Sequence, residues 1–281
     1  MNGILLVNKQ NSWTSQDVCA KLKRTLHLDK IGHTGTLDPF AEGLLVLTIN
    51  KGTKIGQFIE TLDKTYVAKL TLGKATDTLD LTGEIINEKE VPTLTKQQIK
   101  DVFSSFIGKQ KQIPPKYSAI KINGKKLYEY ARENIEVEIK ERDIEVYNIE
   151  LIDFSNNEIV FLAKVSKGTY IRTLASDIAN KLGTVGHLSA LTRTTVGKYY
   201  LNDAKRVDEI SLNDVIPLSK ALTFMKHIKV NDDQIKKIKD GQKIALDIDD
   251  ELIYITDKND NPLAVYGKKE NGIYASVRGL F

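Results

Sequence analysis

Gly32-His33-Thr34-Gly35-Thr36-Leu37-Asp38-Pro39 places two glycines, a proline, an imidazole and a carboxylate within eight residues. Glycine and proline at that density fix a backbone that neither a helix nor a strand supplies. Glycine also lets a bulky ligand approach the chain closely, with His33 and Asp38 held beside it. The same residues read equally as a turn in which Asp38 caps backbone amides. A phosphate-cradling loop is a poor match, because the lysine of G-x-x-x-x-G-K-[ST] is missing.

On the N-terminal side, Gly3 to Asn8 reads as a buried strand. Thr14-Ser15 opens a helix with Val18, Leu22 and Leu26 at four-residue spacing, and Cys19 in it reads as a packing residue. Ile31 to Glu42 is expected as a Gly-rich loop, Gly43 to Ile49 as a strand, and Lys51 to Leu62 as a helix. Tyr66 to Leu72 alternates like a strand, and Thr76 to Gly83 reads as a polar loop. Thr95 with Gln98 forms a capping box ahead of Ile99, Val102, Phe103 and Phe106, a helical face ending at Gly108. Lys125 to Arg132 looks helical. Arg142 to Phe154 and Glu158 to Val165 read as adjacent strands around Ser155-Asn156-Asn157. Ile171 to Leu182 is a helix stopped by Gly183. From Lys226 to Phe281 the basic and acidic counts are equal, ten each, with turns that suggest short strands. The division expected is 1–225 and a small, mostly β unit at 226–281. Strands and helices cluster rather than alternate as βαβ units, which predicts an α+β fold.

The chain has 281 residues, with 41 Lys+Arg against 37 Asp+Glu and a net charge of +4. Hydrophobic residues at 41% and charged residues at 28% are ordinary for a globular protein and exclude disorder or low complexity for its bulk. No apolar run approaches the roughly 18 residues of a spanning helix, and the start lacks the pattern of a signal peptide. One cysteine forms no internal disulfide, which suits a reducing cytoplasm. The four histidines show no metal-ligand spacing, so no metal is expected. The charge is unevenly spread. Lys109 to Tyr128 holds six lysines (Lys109, Lys111, Lys116, Lys121, Lys125, Lys126) and no acidic residue, interrupted by Pro114-Pro115 and Asn123-Gly124. It reads as a solvated basic loop, or as a segment that closes on phosphates with Tyr117 and Tyr128 as stacking groups.

Two further segments carry chemistry. Thr76-Asp77-Thr78-Leu79-Asp80 offers two carboxylates three residues apart, a spacing open to a glycosidase pair, a magnesium site or plain loop formers. Lys167-Gly168-Thr169-Tyr170-Ile171-Arg172 leads into a helix, and the fork of Arg172 suits a carboxylate or a phosphate.

Six segments in order across residues 3 to 197 resemble the TruB family, the bacterial tRNA pseudouridine synthases. They are Gly32 to Pro39; Asp63-Lys64-Thr65-Tyr66; Leu72-Gly73 with Thr76 to Asp80; Pro115-Lys116-Tyr117-Ser118-Ala119-Ile120-Lys121; Gly168-Thr169-Tyr170-Ile171-Arg172-Thr173-Leu174; and Leu191-Thr192-Arg193-Thr194. The resemblance implies a pseudouridine synthase fold, a largely antiparallel mixed sheet flanked by helices, with a reduced PUA-like C-terminal domain. It implies isomerisation of uridine-55 in the T loop of tRNA, with no metal, no organic cofactor, no membrane, no obligate protein partner and a monomeric chain. Asp38 matches the catalytic aspartate, Tyr66 the tyrosine stacked on the target base, and Arg172 the arginine paired with the aspartate. Leu191 matches an apolar residue beside the site, and His33 the histidine near the gap left by the flipped nucleotide. Lys9 survives from the family's N-terminal motif. The stretch of about 109–141, with Lys116, Tyr117, Lys121, Lys125 and Lys126, matches the mobile loop that orders over the T arm. One departure lies at Lys9-Gln10 and Asn11-Ser12-Trp13-Thr14-Ser15, where the family has Lys-Pro and Gly-x-Thr-Ser; it leaves the local turn geometry open.

Such a reaction needs an ionised carboxylate at C1′ or C2′ and an aromatic ring for the extruded base; whether Asp38 attacks C1′, attacks uracil C6 or takes a proton from C2′ stays open, and an adjacent arginine is expected to lower its pKa. Two other readings fit the same chain. One is a non-catalytic chaperone gripping the T arm. The other is a related synthase on another RNA, although a guide-dependent enzyme is expected to carry a fuller PUA domain than 56 residues.

Overall fold

The computed structural model describes residues 1–155 and 157–281. Of the expected turn Ser155-Asn156-Asn157, Asn156 lies outside the described residues.

Local signals set the first helix. Thr14 caps Ser15–Thr25, accepting from the Asp17 amide at 3.0 Å while the Asp17 carboxylate accepts from the Thr14 amide at 2.9 Å. That reciprocal box satisfies two donors that a helix start otherwise leaves open. Val18, Cys19 and Leu22 face inward, and burial pushes the Cys19 thiol up to about 11. The thiol is therefore a small core group and a poor nucleophile at neutral pH. Just before the cap, Ser12 adopts φ +68, a left-handed conformation, and its amide donates to Pro39 O at 2.9 Å. The turn for which the resemblance implies a glycine is thus made by a serine.

The strands build one mixed sheet of eleven among the described residues. Its main path runs Lys205–Arg206, Gly3–Lys9, Glu42–Ile49, Gly186–Val196, Lys64–Leu72, Glu158–Val165, Arg142–Ser155, Gly108–Gln112. Two pairings are parallel: Gly3–Lys9 with Lys205–Arg206, and Gly186–Val196 with Glu42–Ile49 through Thr192 and Arg193. The second needs Gly43, whose φ is +101 and where an added Cβ would stand 2.4 Å from the Arg193 carbonyl oxygen. Helices Ser15–Thr25, Lys96–Ser104 and Ile171–Lys181 contribute to the core on one face, with Leu22, Phe103, Phe161 and Leu174 in a common cluster. Phe103 and Phe161 pack with ring centroids 5.6 Å apart and a tilt of 57°. Burying each such side chain stabilises the fold by ~1.5–3 kcal/mol. The α+β expectation holds.

A separate five-stranded sheet occupies the C-terminal region, in the order Lys226–Lys229, Leu252–Thr256, Pro262–Lys268, Ile273–Gly279, Ile244–Ala245. Its Tyr254 and Val265, with Leu280 just past the last strand, join Ile4, Leu44 and Val46 of the large sheet in a shared apolar cluster. The strands that carry the Gly32–Pro39 stretch are thereby braced from behind.

Several elements differ from their expected form. Ile31–His33 is a strand, because its backbone pairs with Leu47 to Ile49. Lys51 to Leu62 is a 3-10 turn, Asn50–Lys54, followed by a short helix, Gly56–Glu60. A continuous helix fails there because Gly52 packs on Gly3, where a Cβ would lie 2.1 Å from its carbonyl oxygen. The basic segment is more structured than a loop. Lys109 and Lys111 lie on the edge strand Gly108–Gln112, and Lys121–Ile122 pairs with Lys125–Lys126 around Asn123-Gly124. The following helix begins at Leu127 rather than Lys125. The C-terminal region also contains a helix, Asp232–Lys239, which its composition did not reveal.

Candidate active site

The segment from Thr34 to Ala41 is held by bonds to its backbone, which leaves the Asp38 side chain free to face elsewhere. Thr34 N donates to Val46 O at 3.0 Å, and Leu37 N donates to Ser15 Oγ at 2.9 Å. Beneath it sit two buried cations. Lys9 Nζ donates to Trp13 O at 2.7 Å, Gln10 O at 3.0 Å and Pro39 O at 3.3 Å. Arg193 donates through Nε to Leu44 O at 2.8 Å and through Nη2 to Gly35 O at 3.0 Å. A cation bonded to several carbonyls fixes their positions strongly, since charge-assisted hydrogen bonds are about twice as strong as neutral ones. Burial draws the Lys9 ammonium down to about 8, with Asp38 the largest opposing influence.

Asp38 meets Arg172, as expected. Arg172 lies in the first turn of Ile171–Lys181 with its side chain only 4% exposed. Its Nε is 2.9 Å from Asp38 Oδ2, and its Nη2 donates to Asp38 Oδ1 at 3.3 Å. The same guanidinium donates to Thr78 O and to Tyr117 O, each at 2.8 Å, and stands 3.6 Å from Asp80 Oδ2. Asp80 is fixed in turn, because its Oδ1 accepts from Thr82 N at 2.9 Å and from Thr78 Oγ1 at 2.9 Å. Arg172 thus gathers three distant stretches of chain around one carboxylate. Asp38 does not cap backbone amides; its carboxylate is given to Arg172.

The acidity of Asp38 runs against the expectation. Burial pushes its carboxyl above the usual carboxylate value, Arg172 is the largest influence pulling it back, and Asp80 adds to the rise. The reason is depth: protein surrounds the carboxyl, although 32% of the side-chain surface still faces the open cavity. Loss of hydration outweighs the nearby cation.

That cavity has a volume of about 780 Å³, and Asp38, Tyr66, Arg172 and Leu191 all line it. Tyr66 comes from the central strand Lys64–Leu72, opposite Arg193 on Gly186–Val196. Register shifts at Leu188/Ala190 and Arg193/Thr195 bend that second strand. Bulges of this kind increase local twist and re-aim side chains. Tyr170 and Lys64 also line the cavity. Lys64 Nζ donates to Glu60 O and Leu62 O, and burial lowers it to about 8.

Other expected residues lie elsewhere. Lys9 is fully enclosed beneath the loop. His33 lies at the end of its short strand outside the cavity lining; burial, then the Arg193 charge, draws its pKa down. Lys116 and Lys121 are exposed, and Tyr117 reaches the site through its carbonyl. Lys125 is ion-paired with Glu133 and lies over the Tyr130 ring at 4.9 Å, while Lys126 lies 5.3 Å over the Tyr128 ring. Lys111 stands 4.0 Å from Glu141. The stretch 109–141 holds eight basic and five acidic residues, so its charge is less one-sided than the stretch up to Tyr128 suggested.

Arg193, Lys64 and Gln112 are structural participants whose parts the sequence did not reveal. Arg193 and Lys64 stand inside recognised motifs, but their carbonyl partners are a property of the fold. Among the described residues no group of three or more His, Cys, Asp or Glu side chains fits a metal ion.

The large sheet and its C-terminal companion recur in a solved Cbf5–Nop10–Gar1 complex, with a TM-score of 0.76 and 24% identity over 99% of this chain and 85% of that one. This is the pseudouridine synthase fold. The family model described as "TruB family pseudouridylate synthase (N terminal domain)" matches residues 23–171. Curated relatives named tRNA pseudouridine synthase B agree. One from Onion yellows phytoplasma (strain OY-M) is 44% identical over 86% of each chain. Another, from Mesoplasma florum, is 36% identical over 99% of this chain and 98% of its own length. The chain belongs to the TruB family of pseudouridylate synthases.

Proposed function

We propose that this protein isomerises uridine-55 in the T loop of tRNA to pseudouridine, with Asp38 as the catalytic carboxylate. The observation that carries the reading is the Asp38–Arg172 pair, 2.9 Å apart, in a cavity shared with Tyr66. In the reaction the N1–C1′ bond breaks, the uracil turns, C5 bonds to C1′, and the C5 proton departs while N1 gains one. A stacked base cannot turn, so it is extruded first, at a cost of a few kcal/mol. Stacking on the Tyr66 ring returns roughly 1–3 kcal/mol of that. The cavity of about 780 Å³ has room for a nucleoside. Cleavage leaves positive character on the sugar, which the Asp38 anion meets, while Arg172 holds that anion in place.

The exposed lysines Lys116 and Lys121 support contact with the phosphates of the T arm, with the 109–141 stretch closing over it. Leu191 provides an apolar wall beside the base. The sheet that begins at Lys226 supports a division into a catalytic unit, 1–225, and a PUA-like unit, 226–281. The reading includes a monomeric enzyme without an obligate protein partner, as the family resemblance implies.

The test is release of tritium from unmodified tRNA labelled at C5 of uridine, followed by mapping of the modified position. One release per tRNA, mapped to the T-loop uridine, is expected. Saturating binding without release indicates a chaperone, and release mapped elsewhere indicates a different RNA target.

A further inference from the structure

Gln112 closes the edge strand Gly108–Gln112 and is only 6% exposed. Among the described residues its side-chain amide serves a single partner. Oε1 accepts from Tyr170 N at 2.8 Å, and Nε2 donates to Tyr170 O at 3.1 Å. Two bonds to the backbone of one residue fix its direction as well as its position. Tyr170 is the N-cap of Ile171–Lys181 and makes no side-chain cap bond of its own, so the first turn has no other anchor of that kind. Arg172 follows two residues later.

The same two stretches are joined twice more. Thr173 Oγ1 donates to Ile113 O at 3.4 Å, and Arg172 Nη2 donates to Tyr117 O at 2.8 Å. Strand end, helix start and arginine therefore form one hydrogen-bonded unit. An apolar side chain would fill the same buried volume without the cost of desolvating an amide. Gln112 does not line the cavity and does not touch Asp38. Among the described residues its side-chain amide bonds only to the backbone of Tyr170.

We infer that Gln112 is a positioning residue for the reaction: its amide locks Tyr170 and thereby holds Arg172 in register with Asp38 and with the Tyr117 carbonyl. The inference rests on the pseudouridine synthase reading given above. Such sites tolerate about 0.5 Å of error, and a misplacement of about 1 Å can slow a reaction roughly 100-fold. The groups facing Asp38 are Arg172 from the helix, Asp80 from the loop beside it, Lys9 from the first strand, and Tyr66 and Tyr170 from the cavity wall. Of these only Arg172 and Tyr170 depend on the lock. Displacing Arg172 removes the strongest influence that keeps Asp38 ionised.

The experiment compares wild type, Gln112→Leu, which loses both bonds at similar volume, and Gln112→Glu, which keeps the acceptor for Tyr170 N and loses the donor. Single-turnover pseudouridine formation at saturating enzyme is measured across pH, with the tRNA Kd measured separately. In Gln112→Leu the rate is expected to fall at least about tenfold, with Kd within about threefold and the acid limb moved to higher pH. Gln112→Glu is expected between the two. A wild-type rate and acid limb in Gln112→Leu overturn the inference, as does a loss confined to Kd. Where Gln112→Leu does not fold, Gln112→Glu decides alone: a slower rate with a moved acid limb supports the lock, and wild-type behaviour overturns it. A wild-type protein that forms no pseudouridine contradicts the function reading instead, before any variant is compared.

Discussion

At the scale of the residue, Asp38 carries its charge against its surroundings. Burial raises its carboxyl above the ordinary value, and Arg172 limits that rise. For folding, the protonated form is favoured, so this group's contribution to stability is lost as pH rises through its native value. For activity the sign reverses, because the reaction uses the anion. Turnover therefore falls as pH drops through a value above that of a free aspartate. Arg172→Ala should move this acid limb up by roughly one unit or more and slow turnover about 100-fold. A pH–rate profile of wild type and variant measures both, and an unmoved limb contradicts the pairing. The meeting of Asp38 with Arg172 in a cavity shared with Tyr66 was legible in the sequence because each sits in a compact motif. The acidity of Asp38 was not, since it depends on depth within a cavity that no motif encodes. Arg193 was illegible for a related reason: its partners at Gly35 and Leu44 lie some 150 residues away.

At the scale of the element, short-range rules succeeded, the neighbouring strands Arg142–Ser155 and Glu158–Val165 included, and distant pairings were not readable. The capping box at Thr95–Gln98 formed where its spacing placed it, and the helix expected from Thr14-Ser15 starts there, with a Thr14–Asp17 box not anticipated from the sequence. Ile31–His33 became a strand only because Glu42–Ile49 offers it an edge. Gly52, which interrupts the expected helix, answers to Gly3 rather than to its neighbours. The basic segment shows the same limit. Composition marked six lysines, whereas the fold puts Lys109 and Lys111 on a strand and pairs Lys125 with Glu133. Lys116 and Lys121 have no acidic partner within 4.0 Å among the described residues, and they are the best placed for phosphate. Replacing both with alanine should reduce the slope of log Kd against log salt by about 1 to 2, because each phosphate contact contributes roughly 0.9 on a duplex. Titration at several salt concentrations reads this directly, and an unchanged slope returns the segment to solvated surface.

At the scale of the whole molecule, the two sheets divide the work of positioning. The C-terminal region backs Gly3–Lys9 and Glu42–Ile49 through Tyr254, Val265 and Leu280. Those strands, with Lys9 and Arg193, hold the Asp38 loop from below. From the opposite side, the helix bearing Arg172 brings its guanidinium onto the carboxylate. The α+β class and the mostly β C-terminal region were readable from clustering and turn residues; the bracing between them was not, because it depends on which apolar faces meet. The central claim is that the Asp38 carboxylate performs chemistry that binding alone does not need. The most direct measurement is single-turnover tritium release from C5-labelled tRNA by Asp38→Asn, with tRNA affinity measured on the same preparation. Expected is affinity within about threefold of wild type and a release rate reduced at least about 1,000-fold, a loss of about 4 kcal/mol or more of transition-state stabilisation. Release at the wild-type rate would contradict the account.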